Sequence, residues 1–244
     1  MSAIINRAVM LPLAILTLVF IVVLTPISAA APLLIGSASG LSAREAIGSI
    51  WSGAMADVRL GSLSLGDLRY RLSPLHLPAG QVRLNVNALE SADQPSAFRA
   101  ALLSGITGVG VADLSGDLIP RDLLFEGGVS GLTFTDFSAR FSGGHCVAAS
   151  GRVVARLSAA MIGVPGLTLP ATMDGTARCD KDALLLPLKA ASGDEALMLR
   201  IMGDGRYRAE LTVAPGDPAV GATLTMAGFV PVSGGFRFAF EGRL

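Results

Sequence analysis

Residues 63–72 alternate apolar and polar side chains but change phase midway, and the same change recurs at 132–141. In Leu63-Ser64-Leu65-Gly66-Asp67-Leu68-Arg69-Tyr70-Arg71-Leu72, Leu63 and Leu65 hold one phase, and Leu68, Tyr70 and Leu72 the other. In an extended chain this flip sends the second set to the opposite face unless one extra residue is absorbed. A bulge at Gly66-Asp67 repairs the face, because glycine tolerates the backbone angles a bulge needs. A tight hairpin at the same pair is the competing arrangement, and Leu65 and Leu68 leave little room for it. The second stretch, Leu132-Thr133-Phe134-Thr135-Asp136-Phe137-Ser138-Ala139-Arg140-Phe141, keeps Leu, Asp and Arg at the places of Leu63, Asp67 and Arg71. A strand led by glycine follows each, from Gly80 and from Gly151. The pattern reads as two copies of one β unit, against chance similarity between two short amphipathic strands. Two copies are too few for a solenoid array.

The rest of the exported chain is mostly strand-like. Val82, Leu84, Val86 and Ala88 alternate with Arg83, Asn85 and Asn87, giving one buried and one wet face. Residues 96–103 read as a helix opened by Ser96 and closed by Gly105. Further strands are expected over 173–179, 184–188, 197–202, 207–213, 222–229 and 236–244. Asp204-Gly205 has the chemistry of a two-residue hairpin turn, and Ser233-Gly234-Gly235 marks another. Pro170, Pro187 and Pro231 suit strand ends and sheet edges. Many short strands with 29 glycines point to an antiparallel all-β domain, curved or elongated.

Before that domain, no charged residue occurs from Ala8 to Ala43, and Ala8–Leu24 is almost wholly apolar. A helix over 8–25 would be about 27 Å long, close to the thickness of a bilayer core. The expected layout is a cytoplasmic tail (1–7), a transmembrane anchor (8–27), a linker (28–47) and a periplasmic β domain (48–244). In the linker, Ser42 and Glu45 have capping-box spacing for one or two helical turns over 41–47. Arg7 precedes the span, so the positive-inside rule puts the tail in the cytoplasm. A cleaved signal peptide is the other reading, with Ser28-Ala29-Ala30-Ala31 as the processing site. Against it stand Pro32 beyond that site and an apolar run longer than the usual ~7–15 residues.

Catalytic chemistry finds little purchase in this sequence. The formal net charge is zero, which argues against a nucleic-acid partner. His76 and His145 stand apart, and His145-Cys146 lacks the spaced ligands a zinc site recruits. Gly105-x-x-Gly108-x-Gly110 has the wrong order for a dinucleotide loop. Gly36–Gly40 lacks the central serine of a nucleophile elbow. Asp67 and Asp136 occupy matched places in the repeat, which favours a turn or bulge role over acid–base work. No catalytic, cofactor or metal residue is assigned. The two cysteines, Cys146 and Cys179, fall in the exported part, where oxidation is the default, and are expected to pair. Two small buried thiols are the alternative.

Gly48–Trp51–Gly53, the aromatic-centred strand through Tyr70, then Pro74-Leu75 and Gly80 resemble protein N of the bacterial type II (general) secretion pathway. The two cysteines and the ending Ala227-Gly228-Phe229 to Gly242-x-Leu244 add to the likeness. Tyr70 stands where that family often has tryptophan, and His76 and Pro78 where leucine is usual. The resemblance implies an inner-membrane-anchored periplasmic part of the machine that exports folded proteins across the outer membrane. It implies contacts with other secretion components, no catalysis and no cofactor. A sheet that shields lipid between the two membranes is the alternative from another class.

Overall fold

The protein is described by a computed structural model covering residues 13, 17 and 20, then 41–60, 63–88, 97–118, 129–157, 171–216 and 218–243. The segments expected to form the tail, the anchor and the first part of the linker lie outside the described residues, apart from helical Leu13, Thr17 and Phe20. There the Thr17 hydroxyl donates to the Leu13 carbonyl at 2.8 Å. Among the described residues no helix is long and apolar enough to cross a membrane.

Among the described residues sixteen strands form one antiparallel sheet. They are β1 (Leu41–Ser42), β2 (Glu45–Gly48), β3 (Ser52–Leu60), β4 (Leu63–Ser73), β5 (Gln81–Ala88), β6 (Phe98–Gly105), β7 (Gly108–Leu118) and β8 (Val129–Ser142). The second half holds β9 (His145–Leu157), β10 (Thr172–Thr176), β11 (Arg178–Asp180), β12 (Ala183–Ala190), β13 (Glu195–Ile201), β14 (Arg206–Val213), β15 (Val230–Val232) and β16 (Gly235–Arg243). Order in the sheet follows order in the chain, except that β2 flanks β1 on β3, β11 flanks β10 on β12, and β15 lies outside β16. A 3₁₀ helix over Pro74–Ala79 joins β4 to β5 and ends on Gly80, whose φ of 67° is left-handed. An α-helix, α1 (Pro218–Met226), precedes β15.

Cross-strand partners share a face, so alternation along each strand assembles one apolar face across the sheet. Leu188, Leu197, Leu211 and Phe238 form such a row across β12, β13, β14 and β16. Met173, Leu197, Leu211 and Val213 on this face are fully buried. Helix α1 sets Leu224 into the same core, while Phe229 stacks beside Phe238 with ring centroids 5.2 Å apart.

Both phase flips are bulges, and each is double. Between the pairs Met55–Leu68 and Val58–Gly66, β3 carries one residue more than β4. Between Val58–Gly66 and Arg59–Ser64 the excess moves to β4, and the starting register returns. The hairpin β7–β8 repeats this order: Val111–Ala139, Leu114–Phe137, Gly116–Phe134. The left-handed residues that turn the chain are Asp57 and Gly66 in the first hairpin, Asp113 and Asp136 in the second. Aspartate suits these places because its short polar side chain tolerates the left-handed region. As a result Leu65, Leu68 and Tyr70 join one core, as do Phe134, Phe137 and Phe141. Leu72 is half-buried.

Five local expectations are corrected. Residues 98–105 are strand β6, because ladders to both β5 and β7 outweigh an alanine-rich helical preference. Leu41–Ser42 and Glu45–Gly48 pair with β3 instead of forming helical turns, so the sheet begins before Gly48. The stretch read as a strand over 222–229 is mostly α1, whose Val220 and Leu224 stand four residues apart on a buried stripe. The turn at Asp204-Gly205 is a three-residue loop, closed by Met202 N–H on the Arg206 carbonyl at 2.8 Å, with Gly205 left-handed. Ser233-Gly234 does form a two-residue turn, and Pro231 sits on the edge strand β15. Pro187 lies mid-strand in β12, opposite the break between β10 and β11 where no ladder bond is demanded of it.

Candidate interaction surfaces

The residues Gly48, Trp51, Gly53 and Tyr70 build one structure, the turn between β2 and β3. Gly48 pairs with Gly53, and the Ser49 N–H donates to the Ser52 carbonyl at 3.0 Å. The Ser49 hydroxyl accepts from the Trp51 N–H at 3.2 Å. From β4, Tyr70 reaches over Gly53 and donates its hydroxyl to the Ser49 carbonyl at 2.6 Å, while Leu72 N–H donates to the Trp51 carbonyl at 2.8 Å. A Cβ on Gly53 would lie 2.6 Å from the tyrosine oxygen, so only glycine fits beneath this ring. Burial pushes the Tyr70 phenol up from its ordinary value. Pro74 opens the 3₁₀ helix and Gly80 closes it. A Cβ on Gly80 would come within 3.2 Å of Ile106.

Of the two repeat carboxylates, Asp67 acts on backbone, while Asp136 accepts the Ser115 hydroxyl at 3.4 Å. Asp67 Oδ1 accepts the Asp57 N–H at 3.0 Å, at the left-handed residue of the opposite bulge. In the second copy serines take this part: Ser138 accepts the Asp113 N–H and Ser115 the Asp136 N–H, each at 3.1 Å. The bulges of β3 and β7 were missed in sequence, although Ala56-Asp57-Val58 and Ala112-Asp113-Leu114 repeat there as an Ala-Asp-apolar signature.

The histidines stay apart. His76 Nδ1 contacts the Ser73 hydroxyl at 3.1 Å. His145 Nδ1 meets a single carboxylate, Asp182, at 2.8 Å on the surface. Among the described residues no three His, Cys, Asp or Glu side chains gather as a metal site would need. Next to His145, Cys146 of β9 is joined to Cys179 of β11, with Cα atoms 5.6 Å apart. The Cys146 N–H also donates to the Asp182 carbonyl at 2.9 Å, so the short strand β11 is fixed to the main sheet at its end.

Two surfaces remain open. The first is the end of the apolar face on β5–β8. Tyr70, Val86 and Ala100 form a buried row. The next row, Leu72, Leu84, Leu102 and Val111, begins to open, with Leu102 42% exposed. In the last, Val82 and Val109 flank Ser104 and are 40% and 54% exposed. Ile106, in the turn beyond, is 86% exposed. Beside these rows lies a hollow of about 390 Å³ lined by Val111, Ala139 and Ala149 among others. The second is the polar face, where arginines mostly meet carboxylates: Arg83 with Asp113 at 2.6 Å, Arg152 with Asp174 at 2.7 Å, Arg208 with Glu210 and Glu241 at 2.8 and 3.1 Å. The Arg206 N–H and guanidinium hold Asp204 below the usual carboxylate range.

Comparison with known proteins finds a family match. The sequence profile of the family described as type II secretion system (T2SS), protein N, covers residues 39–239, from β1 into β16. No curated protein and no solved structure matches the chain. The matched region includes the β2–β3 turn, both double-bulge hairpins and both cysteines, well over half of the sequence. The chain belongs to the type II secretion system protein N family.

Proposed function

We propose that the protein is an inner-membrane-anchored, periplasmic component of the type II secretion machinery. In this reading it assists export of folded proteins across the outer membrane through contacts with other secretion components. The family match over residues 39–239 carries the reading. The uncharged apolar stretch after Arg7 supports the anchor and its orientation. A disulfide between the only two cysteines suits an oxidising compartment. An alkaline phosphatase fusion to the C-terminus tests the topology. Enzyme activity in the membrane fraction, with secretion components co-purifying, is the expected result. An inactive fusion, or one released to the periplasm in soluble form, contradicts the anchored reading.

A second reading, a periplasmic lipid carrier or conduit, is favoured by one observation. The apolar face of β5–β7 runs out into solvent at Val82, Leu102 and Val109 instead of closing. Phosphate analysis of the protein purified in detergent distinguishes the two. Stoichiometric phospholipid that survives extensive washing supports the lipid reading, and its absence counts against it.

A further inference from the structure

We propose that the polar face of β4–β6 is a docking surface for an extended acidic segment of a partner protein, with its carboxylates on Arg69, Arg71 and Arg99. The proposal rests on the reading of the protein as a binding component and supplies the chemistry of its partner. Arg69 and Arg71 lie two residues apart on β4, both exposed and on the same face. Arg69 stands opposite Asn87, and Asn87 opposite Arg99; Arg71 stands opposite Asn85. The five side chains therefore form one patch across three adjacent strands.

None of the three arginines forms an ion pair with a described residue, unlike the arginines of β5, β9 and β14. The acids at its border are committed elsewhere. Asp67 accepts the Asp57 amide, and Asp113 is held by Arg83. Three guanidiniums without a carboxylate partner among the described residues, within two strand spacings, repel one another, and a bound anion relieves that repulsion.

Spacing selects the kind of anion. Arg69 and Arg71 are roughly 6.7 Å apart along the strand, and Arg69 and Arg99 roughly 9.5 Å across it. An extended peptide with acids at alternate positions has the first of these spacings. Guanidinium forks bind carboxylates in two-point fashion, and the amides of Asn85 and Asn87 offer donors and acceptors to its backbone. On β3, Ser52 and Ala54 lie opposite Arg71 and Arg69 and keep the approach low. A membrane-binding face would place several large apolar side chains among the arginines; the five residues of the patch are all polar, and exposed Ile47 lies in the row of Arg69 only beyond Ala54.

The test uses the full-length chain in neutral detergent and a fluorescein-labelled peptide of alternating glutamate and serine, twelve residues long. Anisotropy should show binding that weakens between low and moderate salt. Arg69→Gln/Arg71→Gln/Arg99→Gln should weaken it at least tenfold without changing the melting temperature, while Arg152→Gln leaves it unchanged. If the triple variant does not fold, Arg69→Gln and Arg99→Gln are measured singly, each with a several-fold loss expected. Absence of peptide binding, or binding untouched by these changes, overturns the proposal. So does binding only to vesicles of phosphatidylglycerol and phosphatidylcholine. Binding that appears only with Glu90→Gln/Asp93→Asn would assign the arginines to the chain's own β5–β6 connection and overturn it too. The assay contains no secretion machinery, so its outcome is separate from whether the protein acts in export.

Discussion

Tyr70 donates its hydroxyl to the Ser49 carbonyl at 2.6 Å, and its ring fills the space a side chain on Gly53 would need. One tyrosine thus ties β4 to the β2–β3 turn and requires glycine beneath it. Tyr207 and Gly242 repeat the arrangement at the far end of the sheet, where a Cβ would fall 2.5 Å from the phenol oxygen. Tyr70→Phe should cost about 1 kcal/mol, the worth of one partly buried hydrogen bond. Gly53→Ala should cost about 1–3 kcal/mol through overpacking. The two changes should not add, because the alanine already displaces the ring. Urea denaturation of each single variant and the pair checks all three.

The double bulges give a second expectation. Asp136 is left-handed, with φ 49°, and its N–H is already taken by Ser115. Asp136→Gly should therefore be nearly neutral. Asp136→Val should lose roughly 1–2 kcal/mol, because a β-branched residue resists that conformation. Equal stability of the two variants in thermal unfolding would contradict the bulge.

Reduction should matter as well. The Cys146–Cys179 bond closes a loop with a sequence separation of 33. In the chain-entropy account such a loop is worth about 3.7 kcal/mol. Cys146→Ala/Cys179→Ala should lower the melting temperature by several degrees, and a reducing agent should do the same to the parent but not to the variant. Thiol labelling of the denatured, unreduced protein should find no reactive thiol.

Acid should weaken the β13–β14 hairpin in a defined direction. Asp204 accepts the Arg206 backbone N–H at 3.0 Å and its guanidinium at 2.6 Å, and both lower its pKa. A depressed folded value means the stabilisation is complete above the unfolded value of about 3.9 and is lost as pH falls through the folded one. Asp204→Asn should therefore show a flatter melting profile than the parent below about pH 4. Parallel profiles would remove Asp204 as a contributor.

What the sequence made legible was local and periodic. The phase flip at 63–72 and 132–141 pointed to the bulges, because a bulge restores the buried face and Leu65 and Leu68 leave little room for a hairpin. The cysteines could be paired because only two exist. The misreadings fell where pairing partners, rather than local preference, decide. Phe98–Gly105 has an alanine-rich run but is held between two strands. Pro187 looked like an end and sits mid-strand, because the break between β10 and β11 is visible only once the strands are paired. The arginine patch was equally hidden, since Arg69 and Arg99 become neighbours only through the registers of β4, β5 and β6.

The central claim is that this protein serves type II secretion, and secretion itself tests it most directly. In the source bacterium with the gene deleted, the extracellular and periplasmic amounts of a known type II substrate are measured with and without the full-length chain restored. The account predicts that the substrate accumulates in the periplasm on deletion and returns to the medium on complementation. Unchanged secretion in the deletion strain, with periplasmic levels equal to the parent, would contradict it.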